Sequence, residues 1–111
     1  MSNSPLSGSG DGSVHDVTDS IANAVLAIPG VHDLHAGGAG QVATYLPGRR
    51  VDGIRAIDGG YDVHIVLSWG HQVSATADAV RAVVQQFNAG RVDVTVEDVA
   101  PKSAPQLETS Q

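Results

Sequence analysis

The chain has 111 residues, room for one domain and not two. Its residues are 41% hydrophobic and 16% charged, with 13 Gly and 5 Pro, which excludes a collagen, a coiled coil and a wholly disordered chain. Six basic against 12 acidic side chains give a net charge of −6, a balance that repels polyphosphate and sets nucleic acid aside as a main partner. Without cysteine there is no disulfide framework, no Cys-based zinc site and no thiol catalysis.

The segments 1–12 and 100–111 are polar and rich in Ser, Pro and Gly, and read as flexible tails around a single domain at 13–99. Met1 to Gly12 lacks the basic and apolar regions of a secretion signal. The longest apolar stretch, Ala24 to Ile28, falls short of the ~20 residues of a membrane span. The expectation is a cytoplasmic protein that does not insert directly into a membrane.

In chain order, Val14, Val17, Ile21, Ala24, Val25 and Ile28 form one stripe of a helical period, with Ser13 and Asp16 as a capping box. Pro29-Gly30 ends that helix. Short strands are predicted over Val31 to Ala36 and Gln41 to Leu46, separated by the flexible Gly37-Gly38-Ala39-Gly40. Strands Val51 to Ile57 and Tyr61 to Trp69 flank Asp58-Gly59-Gly60, a turn whose glycines supply positive φ. In the longer strand Tyr61, Val63, Ile65, Leu67 and Trp69 make a core face. Ser74 caps a second helix to Asn88 with the stripe Val73, Ala77, Val80, Val84 and Phe87, and Arg91 to Val99 is the last strand. The order α-β-β-β-β-α-β predicts an α+β fold. It is a small, mostly antiparallel or mixed sheet of about four to five strands with two helices on one face. The polar face, Asp62, His64, Thr95 and Glu97, is left to water or to a partner.

Chemistry is sparse in this frame. Five histidines, His15, His32, His35, His64 and His71, invite a metal, but His32 and His35 lie three apart on a strand and point to opposite faces. Exposed or locally hydrogen-bonded imidazole is the simpler reading. His64 beside Asp62 has the chemistry of a pH sensor, against which stands a plain solvated pair. Gly37 to Gly40 is no phosphate loop, since no Lys-Ser/Thr ending follows. Ser68-Trp69-Gly70-His71 is not a nucleophile elbow. Arg49-Arg50 after Pro47-Gly48 reads as a loop pair able to contact an anion or a partner.

The runs Ile28-Pro29-Gly30-Val31, Gly37-Gly38, Leu46-Pro47-Gly48-Arg49-Arg50-Val51 and Ile54-Arg55-Ala56 together resemble the alkaline shock protein family of envelope stress response proteins. Val63-His64-Ile65-Val66-Leu67-Ser68-Trp69-Gly70, Ala79-Val80-Arg81-Ala82-Val83-Val84 and Val92 to Val99 extend the likeness over 14–99, nearest to short actinobacterial-type members. Two features depart from that pattern. Gly12-Ser13-Val14-His15 lacks the alternation of a leading Gly-x-Ile-x-Ile strand, and Gly90-Arg91 stands where Gly-Leu is common.

The resemblance implies a non-enzymatic α+β protein without a cofactor. It would be cytoplasmic, self-associating and brought to the membrane by a small membrane-anchoring protein. It assigns no catalytic residue. The residues also leave two other readings open. One is a small-anion-binding module using Arg49, Arg50 and the Gly37 to Gly40 loop. The other is a hydrolase or metal-dependent enzyme using His32, His35, His64 or Ser68.

Overall fold

The computed structural model describes residues 16–102. Helix α1 spans Val17–Leu26 and is capped by Asp16, which accepts from the Thr18 N–H at 2.9 Å while Asp19 accepts from the Asp16 N–H at 3.2 Å. This is a capping box one turn later than the sequence suggested, and the expected cap Ser13 lies outside the described residues. The core stripe is Thr18, Ile21, Ala22 and Val25, spaced i, i+3, i+4 and i+7. Val17 is 46% exposed, on the flank of that stripe.

Strand β1 (Val31–Leu34) is followed by β2 (Ala43–Leu46) and β3 (Arg49–Asp52), which form a hairpin around Pro47-Gly48. Strands β4 (Ile54–Ile57) and β5 (Gly60–Leu67) form a second hairpin. The predicted strand Val51 to Ile57 is therefore two strands, broken at Gly53, where φ is +85°. Gly53 donates to the Val42 carbonyl at 2.7 Å and accepts from the His64 N–H at 2.9 Å. A Cβ there would stand 2.7 Å from the Leu34 Cβ, so only glycine fits between the two hairpins.

Helix α2 (Val73–Gln85) leads to β6 (Arg91–Val99), which pairs parallel with β5. The N-cap of α2 is Gln72 and not Ser74, without a side-chain cap bond. The exposed first turn lets water meet its free N–H groups. Thr76, Val80 and Val84 are buried, whereas Val73 and Phe87, at and beyond the helix ends, are 52% and 41% exposed.

β5 is the central strand of a mixed four-stranded sheet. β6 lies along one side of it, and β1 and β4 share the other. Gly60 belongs to β5 and not to the turn: a Cβ on it would meet the Arg91 carbonyl oxygen at 1.6 Å, so the close approach of β6 requires glycine. Alternation places Val63, Ile65 and Leu67 under the helices, where Ile21, Val25, Ile54, Val80, Val84 and Val92 complete the core. The α+β class and the two helices on one sheet face agree with the sequence reading.

Trp69 leaves the core face. The Ser68 N–H turns to the Gly30 carbonyl at 2.8 Å and Gly70 takes φ +85°, so the strand alternation ends at Leu67 and Trp69 is 57% exposed. Ala100, read as the start of a tail, is buried and donates to the Leu67 carbonyl at 2.8 Å. No described helix is long and apolar enough to cross a membrane.

Candidate functional site

Arg49 and Arg50 lie on β3, not in a loop, and neighbours on a strand point to opposite sides. Arg49 forms an ion pair with Asp19 of α1. Arg50 faces the other way, bonded to Asp52 at 2.5 Å and to the Gly40 carbonyl at 3.0 Å, with its guanidinium 5.6 Å from the centre of the Tyr45 ring. The structure thus brings Arg50, but not Arg49, to the glycine loop, where it meets a carbonyl oxygen. Three of the loop's four N–H donors are also engaged: Gly37 on His35 Nδ1 at 2.9 Å, Ala39 on the Gln41 side chain at 3.2 Å and Gly40 on the Gly37 carbonyl at 3.1 Å. Two arginines on opposite sides and a loop with three of its four donors spent make a poor anion grip.

The outer sheet face is a connected network. Arg55 on β4 donates to Asp62 at 3.0 Å, Asp62 faces His64 Nε2 at 3.1 Å, and Glu97 on β6 bonds His64 Nδ1 from the other side of the ring. The His64 and Asp62 side chains are only 13% and 14% exposed. Of the four residues expected to meet a partner here, only Thr95 is exposed; Asp62, His64 and Glu97 satisfy one another. The two carboxylates sit on opposite ring nitrogens, so they converge on the imidazole and not on a common point where a metal could stand. Among the described residues no group of three or more His, Asp or Glu is placed to hold a metal ion.

His15 lies outside the described residues, and His71 is exposed in the turn before α2. His32 and Ser68 do come together. They line an open cleft of about 580 Å³ with Trp69, Ala100, Pro101 and Lys102. The cleft joins β1, the end of β5 and the end of β6, and the Ser68 and Ala100 backbone bonds fix its walls. Its apolar surface comes from the exposed Trp69 indole and Pro101. No carboxylate lines it among the described residues.

The cleft also holds the chain's odd cation. Every arginine has an aspartate partner: Arg49 with Asp19, Arg50 with Asp52, Arg55 with Asp62, Arg81 with Asp78 and Arg91 with Asp93. Lys102, the sixth basic residue, has no carboxylate partner among the described residues. Sequence reading missed this site because it placed Trp69 in the core and Lys102 in a tail. The one hint in the sequence was Gly70 directly after Trp69, a residue type that permits the positive φ at which this strand ends.

The chain matches none of the protein-family models, curated proteins or solved structures compared with it.

Proposed function

We propose that the protein is a non-enzymatic adaptor of the cell-envelope stress response, acting through self-association and protein–protein contacts. On this reading it is cytoplasmic and reaches the membrane through a small membrane-anchoring protein. The motif resemblance to the alkaline shock protein family supplies the biological setting.

The observation that carries the reading is the free side of β6. Among the described residues this nine-residue strand pairs only with β5. The Arg91 N–H donates to Gly59 across that pair, so alternation turns the backbone groups of Val92, Val94 and Val96 outward. Arg81 donates to the Val92 carbonyl at 3.3 Å, shielding one end of the edge. The outward groups of Val94 and Val96 are available for strand addition by a partner chain.

In-cell crosslinking of a tagged chain, with membrane fractionation and mass spectrometry, tests the reading. The expected result is recovery of the chain's own copies and one small membrane protein. Proline at Val94 removes one outward donor and should abolish self-association while leaving the far-ultraviolet circular dichroism spectrum intact. As a check that needs no variant, the Val94 and Val96 amides should exchange more slowly at high protein concentration than at low. A soluble monomer without a reproducible partner, whose edge amides exchange at one rate at all concentrations, overturns the proposal.

A further inference from the structure

We propose that the cleft beside Trp69 docks an acidic peptide segment of a partner protein, with an apolar side chain against the indole and a carboxylate on Lys102. This names a second contact for the adaptor reading and rests on it for its biological role.

The argument begins with charge. In a chain of net charge −6, the five arginines are each paired with an aspartate, while among the described residues Lys102 stands unpaired and no carboxylate lines its cleft. That is the local complement of an acidic group. The apolar half of the argument is Trp69. At 57% exposure its indole offers flat area with little side-chain entropy to lose, the type of residue that anchors protein interfaces.

Backbone chemistry narrows the ligand further. The Ser68 N–H is spent on Gly30, the Ala100 N–H on Leu67, and Pro101 has none. Three of the six lining residues therefore offer no main-chain donor to a phosphate, whereas the single Lys102 ammonium suits a single carboxylate. A volume of about 580 Å³ accommodates a short run of side chains and not a folded domain.

Trp69 is the chain's single tryptophan, so its emission reports on the cleft alone. The probes are acetyl-Ser-Leu-Glu-Leu-Glu-Ser-amide and its counterpart with Gln for both Glu. The acidic peptide should give a saturable emission change, weakened by added salt. The Gln peptide, or Lys102→Gln in the protein, should bind about three- to fivefold more weakly, the scale of one exposed charge pair. No saturable change at millimolar peptide, equal affinity for the two peptides, or unchanged binding to Lys102→Gln overturns the proposal.

Crosslinking in cells separates this idea from the adaptor reading. A chain that binds the acidic peptide but recovers no partner supports the cleft and defeats the adaptor. Partners recovered equally well by Lys102→Gln and Trp69→Ser defeat the cleft and leave the adaptor standing.

Discussion

The outer sheet face and the Trp69 cleft carry the same kinds of groups, an imidazole and a cation in each, yet they differ in what is left over. On the sheet face Asp62, His64 and Glu97 spend their hydrogen-bonding groups on one another, and Asp62 also takes one Arg55 donor, leaving only the buried Arg55 Nε without a partner among the buried nitrogens of these side chains. In the cleft His32 and Lys102 are exposed beside an exposed indole, and no acid answers them among the lining residues. A polar residue is informative about partners when its capacity is unspent. Burial and charge alone do not say so, because the half-buried His64 has both and its two ring nitrogens are spent on Asp62 and Glu97.

The comparison can be broken first from beneath. Ile65 lies on the same strand as His64 but on the opposite, fully buried face. Ile65→Ala should cost about 3 kcal/mol by leaving a cavity under both helices, measured by denaturant unfolding. Asp62→Ala comes next. It strips a carboxylate from both Arg55 and His64 and should cost about 1–2 kcal/mol, the penalty for leaving a partly buried polar group unpaired. A loss as small as that of an ordinary surface change would show that the network is ornamental and that the sheet face is as free as the cleft.

Smaller effects sharpen the contrast at the surface. The hydrogen bond from Arg91, with its positive charge, holds the Asp93 carboxyl below its ordinary value. A carboxyl lowered by folding adds stability at pH above its unfolded value, and that contribution is lost as pH falls through the folded value. Arg91→Gln should therefore be less stable than the parent near neutrality, with the gap closing in strong acid when melting is followed across a pH series. Solvent reaches both side chains and screens the pair, so the gap should be slight. Trp69→Ser should be smallest of all for stability, within about 0.5 kcal/mol, because the indole packs little in the folded chain. A large destabilisation there would mean that the cleft is part of the core and not a docking surface.

Much of the architecture was legible because it is written in local periods. Ile21 and Val25, Val80 and Val84, and Val63, Ile65 and Leu67 repeat at helical or strand spacing, and each lies on the core side. What misled were positions where one glycine changes the course of the chain. Gly53 splits a predicted strand, and Gly70 helps turn Trp69 out of the core. Pro47-Gly48 turned out to be a tight hairpin turn that leaves Arg49 and Arg50 on a strand, on opposite sides. Neighbouring sequence reveals that a glycine permits an unusual φ, but not whether the fold uses it.

By itself, then, the amino-acid sequence determined the two helices of the described residues, the two long strands, the absence of cysteine chemistry and the α+β class. These follow from composition and from repeats of two or 3.6 residues, which need no knowledge of distant neighbours. Only the tertiary structure decided which charges are spent and which remain. Arg49 meets Asp19, His64 meets Glu97, and β1, β5 and the chain after β6 enclose one cleft. Such meetings depend on strand order and register, which bring together residues far apart in the chain and leave Lys102 beside Trp69 without an acid to answer it among the described residues.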